Sequence, residues 1–133
     1  MASDDRKQLA LEFLEVLSTR DADKILERMT PEPTWVFIAQ RFPGQEGVRA
    51  IVKASAELYQ PGTTERDTHA VYADGDTVIV RSSMRATTFK GEAYENHYVM
   101  FVHLEGDKVD CVEEWLDTAY ANEKFSGWEM SDT

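Results

Sequence analysis

The 133-residue chain has a single cysteine, Cys111, so it can form no internal disulfide, and it contains neither a Cys-x-x-Cys pair nor a second cysteine to share a metal. Lying between Asp110 and Val112 in a strand-like run, Cys111 reads as a small core residue. Positive charge is scarce as well. Only 14 lysines and arginines stand against 25 acidic side chains, a net charge of -11. A field of that sign repels phosphate backbones and anionic lipid surfaces, and no basic run reverses it locally, so neither a nucleic acid nor a membrane partner is expected. No apolar run approaches the roughly 18 residues of a membrane span. The opening "MASDDRKQLALEFL" has acids where a signal peptide needs a positive segment. A cytoplasmic location is expected. The HExxH, P-loop, GxGxxG and nucleophile-elbow patterns are all missing, and His69, His97 and His103 have no zinc-ligand spacing. The expectation is therefore no metal and no organic cofactor.

What the chain does have is periodicity. With 42% hydrophobic residues and no repeat, linker or low-complexity tract, it reads as one domain over residues 1–133. Ser3, followed by Asp4 and Asp5, suggests a helix start, and Leu9, Phe13, Val16 and Leu17 recur at helical spacing. Asp21 is placed to cap a second short helix with Ala22, Ile25, Leu26 and Met29 on one face, stopped by "TPEP". "TWVFIA" reads as a buried strand. After "FPGQEG", Val48, Ile51, Val52, Ser55, Leu58 and Tyr59 mark a third helix, ended by "QPGTT".

From about Glu65 the period changes from 3.6 to 2. The runs 66–72, 77–89, 93–104 and 109–117 are separated by "ADGD", "KGE" and "EGDK", which are tight-turn signals. Helices grouped ahead of an antiparallel meander predict an α+β domain with helices covering one sheet face. The strand at 94–104 puts Tyr94, Asn96, Tyr98, Met100 and Val102 on one face and Glu95, His97, Val99, Phe101 and His103 on the other. Val99 and Phe101 on the uncovered face predict a homodimer through it.

"ALEFLEVLSTRDADKILERM", "GVRAIVK", "YENHYVMFVHLEGDKV" and "EEWLDT", in that order, resemble the SnoaL-like branch of the nuclear transport factor 2-like superfamily, over about residues 5–125, with 126–133 as a tail. The resemblance implies a cone-shaped curved antiparallel sheet wrapped against three helices of the N-terminal half, with an apolar pocket between them. Trp35, Phe37, Tyr59, Tyr98, Met100 and Trp115 are expected to line that pocket, with Asn96 beside Tyr98 and Glu113 beside Trp115. The aromatic content favours a flat or cyclic apolar ligand.

Uninterrupted alternation puts Glu113, Trp115 and Asp117 on one strand face. A carboxylate beside an indole in an apolar cup is desolvated, which raises its pKa toward the range useful for proton transfer. SnoaL-like cyclases are similar in placing a catalytic Asp just after such a strand end, which makes Asp117 the acid/base candidate. The alternative is that Asp117 caps a terminal helix through "DTAYANEKF". Arg81 matches the Arg of the Arg-x-Asp pair of limonene epoxide hydrolase, but Ser83 replaces the Asp, so Arg81 is expected to neutralise Asp117 or grip an acidic ligand. Steroid isomerisation is not expected, because the Asp and Tyr pattern of ketosteroid isomerase is missing. Scytalone dehydratase uses pocket histidines, but His97 and His103 fall on the face opposite Tyr98 and are expected outside the cone by alternation. The expected function is acid/base proton transfer on a cyclic hydrophobic metabolite, of isomerase, cyclase or lyase type. The alternatives are a non-catalytic binder of the same fold and a pure interaction domain.

Overall fold

The computed structural model describes residues 1–129. Of the tail expected from residue 126, residues 130–133 lie outside the described residues. Helix α1 (Ser3–Leu17) begins after Ala2, with Asp4 and Asp5 in its first turn, so Ser3 is the first helical residue and not its cap. Helix α2 (Ala22–Glu27) is capped by Asp21, whose carboxylate accepts from the amides of Asp23 and Lys24 at 3.1 and 3.2 Å. It is shorter than expected. Strand β1 (Met29–Phe37) starts at Met29 and carries both prolines across a register shift between Met29 and Thr34, where missing N–H groups cost the sheet least.

A short strand β2 (Gln40–Pro43), not expected from the sequence, folds back on β1 through a two-residue turn at Ile38 and Ala39. Helix α3 (Gly44–Leu58) follows at once. Gly47 is required there, because a Cβ would stand 2.4 Å from the Phe42 carbonyl carbon and oxygen. That close approach fixes Phe42 against the helix. Strands β3 (Glu65–Asp74), β4 (Thr77–Thr87), β5 (Ala93–Glu105) and β6 (Lys108–Leu116) form the expected meander, and helix α4 (Thr118–Lys124) ends the ordered elements.

The strands form one curved, open sheet in the order β2-β1-β6-β5-β4-β3. Four neighbouring pairs are antiparallel, but β1 runs parallel to β6, so the sheet is mixed. The α+β architecture is as expected. The core lies between the helices and one sheet face, joining Ala10, Phe13 and Leu14 of α1 to Val78, Val80, Met100 and Val102 of the strands. Two bulges set which side chains reach that face. In β3 the register steps between Thr68 and Ala70, leaving His69 unpaired, and in β6 it steps across Asp110. Each extra residue reverses the alternation beyond it.

Candidate active site

The inner sheet face and helices α1 to α4 enclose a cavity of about 500 Å³. Five of the expected lining residues are in its wall: Trp35 and Phe37 from β1, Tyr98 and Met100 from β5, and Tyr59 at the end of α3. Phe125, the last residue of the expected core, and Trp128, from the segment read as a tail, also line it. The ring of Phe125 stacks on Tyr94 at 5.0 Å and meets Tyr59 edge-on at 5.5 Å, which ties the C-terminal segment to the sheet.

Glu114 is the one carboxylate in the cavity wall among the described residues. The bulge at Asp110 puts Val112, Glu114 and Leu116 on the inner face, in phase with Val109 only because one residue is skipped. Trp35 donates its indole N–H to Glu114 Oε1 at 3.2 Å. Burial raises the Glu114 pKa above the ordinary carboxylate value, and Arg66, the Trp35 hydrogen bond and Arg20 oppose that rise without cancelling it. Desolvation wins because a carboxylate in an apolar wall loses more hydration than one neutral donor and two cations return.

Two arginines join it, neither of them expected from the sequence. Arg66 stands opposite Met84 in the β3–β4 register and turns inward, because the bulge at His69 reverses the phase set by Val71 and Ala73. Its Nη1 donates to Ser82 Oγ at 2.8 Å, and its guanidinium lies 5.3 Å from the centre of the Tyr98 ring. Arg20 follows α1 in a left-handed conformation, φ 56°. Its Nη1 donates to the Leu17 carbonyl at 3.2 Å, its Nη2 to Thr64 Oγ1 at 3.3 Å, and its guanidinium sits 5.1 Å from the Tyr59 ring centre. Burial lowers the Arg20 pKa, and Arg66 adds to the effect.

A chain of hydroxyls completes the wall. Asn96 Nδ2 donates to Tyr94 Oη at 3.0 Å, Tyr94 and Tyr98 hydroxyls share a bond of 2.7 Å, and Tyr98 and Tyr59 hydroxyls lie 3.4 Å apart. Since Asn96 can only donate there, the Tyr94 proton is free to point at Tyr98, leaving the Tyr98 proton for Tyr59 or the cavity. Burial raises the pKa of all three phenols, so they stay neutral and remain donors. Asn96 itself is 2% exposed and outside the lining; its Nδ2 also donates to the Asp117 carbonyl at 3.0 Å, and its Oδ1 accepts from the His97 amide.

The remaining expected site residues lie elsewhere. Glu113 and Trp115 occupy the outer sheet face, because the Asp110 bulge places their even-numbered neighbours inward; Trp115 is 39% exposed. Glu113 Oε2 there accepts from His103 Nε2 at 2.6 Å, with the Thr77 hydroxyl on Nδ1 at 3.0 Å. Asp117 falls beyond the end of β6. It is exposed and caps α4, its Oδ1 accepting from the Tyr120 amide at 3.1 Å, so the helix-capping alternative describes its side chain. Arg81 is exposed on the outer face of β4 and is not in the cavity wall. Cys111, half-buried, belongs to the outer face as well and not to the core. Burial pushes its thiol pKa up, with Glu113 adding to the rise. Among the described residues no group of three or more His, Cys, Asp or Glu is placed to hold a metal ion, and no helix is long and apolar enough to cross a membrane.

The SnoaL-like domain model matches residues 10–111. The chain belongs to the SnoaL-like family. Its fold is that of nuclear transport factor 2-like proteins, as solved neighbours show. A nuclear transport factor 2-like protein of unknown function from Burkholderia pseudomallei K96243 superposes with a TM-score of 0.80 at 17% identity, covering 96% of this chain and 100% of its own. A protein from Jannaschia sp. CCS1, named as a SnoaL-like polyketide cyclase, gives 0.80 at 17% identity, with 96% and 95% covered. TerC, crystallised with polyporic acid, gives 0.77 at 19% identity, with 92% and 99% covered. No curated protein matches the SnoaL-like chain in sequence.

Proposed function

We propose that this SnoaL-like chain is a cytoplasmic, homodimeric small-molecule enzyme that moves a proton on a cyclic, largely apolar metabolite, with Glu114 as the acid/base. The observation that carries the reading is Glu114 itself, a carboxyl in an apolar cavity wall whose pKa is raised by burial above the ordinary carboxylate value. A raised pKa makes the carboxylate a stronger base and shifts the group in the direction that suits acid/base proton transfer. Tyr98 stands diagonally across the β5–β6 pair from Glu114, since Tyr98 faces Leu116 and Met100 faces Glu114. A ring carbonyl held by the Tyr98 hydroxyl would place its neighbouring carbon toward the carboxyl, where Glu114 takes the proton and returns it at another position. The neutral phenols donate to the developing enolate oxygen, the charge distribution that oxyanion stabilisation requires. Asp117, the acid/base expected from the sequence, and Arg81, expected to neutralise it or grip an acidic ligand, have no part in this reading.

The name of the Jannaschia neighbour and the ligand of TerC support a ring-shaped substrate for this family's cavity. The dimer is supported by the outer face, where half-buried Val99 and Phe101 lie beside exposed Trp115. The test is proton exchange. A panel of cyclic ketones and diketones is incubated with the protein in D₂O and deuterium uptake is followed by NMR. The expected result is catalysed exchange on at least one ring that Glu114→Gln abolishes. Rings that bind without exchange would instead make the protein a carrier.

A further inference from the structure

The cavity has more cation and more donor capacity than its own residues use. Each guanidinium carries five N–H donors. Oxygen accepts from Arg20 at Leu17 and Thr64, and from Arg66 at Ser82. The Nη2 atom of Arg66 has only a thioether, Met84 Sδ, at 3.7 Å, and that of Arg20, besides Thr64, reaches the same sulfur at 4.0 Å. Sulfur is a weak acceptor. The buried side-chain polar atoms without any partner among the described residues are Arg20 Nε, Arg66 Nε and Trp128 Nε1. All three are donors, and all three residues line this one cavity.

Charge gives the same answer independently. Because both guanidiniums converge on Met84, two like charges face each other in a part-buried wall. Neither arginine has an ion-pair partner among the described residues, although the surface carries several such pairs. Glu114 is the one acid in the wall, and it cannot neutralise two cations. A buried cation without a counterion is costly and is kept where something that binds repays it. The net charge of -11 does not oppose an anion here, since surface charges are screened over about 8 Å at physiological salt and buried ones much less.

Resting on the cavity as a ligand site, we propose that the ligand is an organic anion: a flat ring carrying a carboxylate, or an ionised enol or phenol, seated between Arg20 and Arg66. The planar guanidiniums suit a delocalised two-oxygen anion better than a point charge. Seating it there sets the ring in the cavity that Trp35, Phe37, Tyr98 and Glu114 line.

Two fluorescent probes of one skeleton test this, anilinonaphthalene sulfonate and the neutral N-phenylnaphthylamine. The expected result is at least about tenfold tighter binding of the sulfonate, the scale of one charged hydrogen bond. Arg20→Gln and Arg66→Gln should erase that preference while leaving the neutral probe's affinity unchanged, Arg66→Lys should keep part of it, and Arg81→Gln on the outer face should keep all of it. Should the Gln variants not fold, competition on the unmodified protein decides: naphthoate should displace the sulfonate probe and naphthamide should not. Equal affinity for the two probes, a preference that survives both Gln variants, or displacement by the amide as readily as by the acid overturns the anion assignment and leaves the cavity as a ligand site. Binding of neither probe overturns both.

Discussion

Trp35 donates its indole N–H to Glu114 at 3.2 Å across the parallel pair β1–β6. A neutral donor to a carboxylate favours the ionised form, so this bond holds the Glu114 pKa below the value burial alone would give. Trp35→Phe keeps an aromatic ring in the wall and removes only the N–H. The expected outcome is a further rise of the Glu114 pKa, measured by carbon-detected NMR titration of the side-chain carboxyl; an unchanged midpoint would mean the bond does not tune the acid.

Glu114 also predicts a pH dependence of stability. Its folded pKa is raised above the ordinary 4.5, so between the two values the folded state binds more protons than the unfolded chain. Stability therefore falls as pH rises through that window, by at most about 1.4 kcal/mol per unit. Below 4.5 the carboxyl is protonated in both states and the penalty is gone. Glu114→Gln, which cannot ionise, should melt above the parent protein at pH 8, and the gap should close by pH 4. Denaturant melts across pH check it, and a gap that grows toward acid would have the wrong sign.

Asp117 and Glu114 separate cleanly by substitution. Asp117 caps α4 through Tyr120, and Asn caps about as well as Asp. Asp117→Asn should leave both stability and ring-proton exchange near the parent values, and Asp117→Ala should cost about 0.5–2 kcal/mol of stability. Glu114→Gln should instead lose roughly 10²–10⁴-fold in exchange rate. An Asp117→Asn variant that folds and is inactive would return the acid/base role to Asp117.

How far the site could be read from the chain turns on two residues of bulge. The helices, the meander and the wall residues Trp35, Phe37, Tyr59, Tyr98 and Met100 follow from periodicity and from the family pattern, because on β5 the alternation runs unbroken from Tyr94 to Leu104. On β6, alternation counted from Val109 leads to Glu113, Trp115 and Asp117, whereas the fold skips Asp110 and delivers Glu114 and Leu116. On β3, alternation counted back from Val71 turns Arg66 outward, whereas the skip at His69 turns it in. A bulge is fixed by long-range pairing, such as the Thr30 hydroxyl donating to Asp110 Oδ1 at 2.8 Å, and a period-2 pattern in one strand does not contain it. Arg20 escaped for another reason: it follows a helix end, where no periodicity applies.

The β1–β2 turn carries strain that can be relieved. Ile38 and Ala39 have φ of 46° and 66° in a two-residue hairpin, the geometry that Asn-Gly fills without steric cost. Ala39 is exposed, so a change there alters backbone preference with little loss of contact. Ala39→Gly should stabilise the protein by about 0.5–1 kcal/mol, the left-handed penalty less the extra freedom glycine has when unfolded. Thermal melting reads the sign directly, and a loss of stability would mean the turn is unstrained.

The outer face makes the last prediction. Val99 pairs with Trp115 and Phe101 with Glu113 on neighbouring strands, so Val99, Phe101 and Trp115 form an apolar patch on the surface the helices leave bare. Arg81 and Glu113 border the patch, as the polar rim of an interface does. In a homodimer through this face Phe101 would be covered by the second copy, and a charge placed there would be buried without a partner. Phe101→Glu should therefore weaken self-association by at least about tenfold, since an unpaired buried charge costs well over 1.4 kcal/mol. Sedimentation velocity over a concentration series measures it. A parent protein that remains monomeric at tens of micromolar, a concentration at which an interface with Kd near 1 μM would be largely occupied, would remove the dimer. A Phe101→Glu variant that associates like its parent would move the interface off this face.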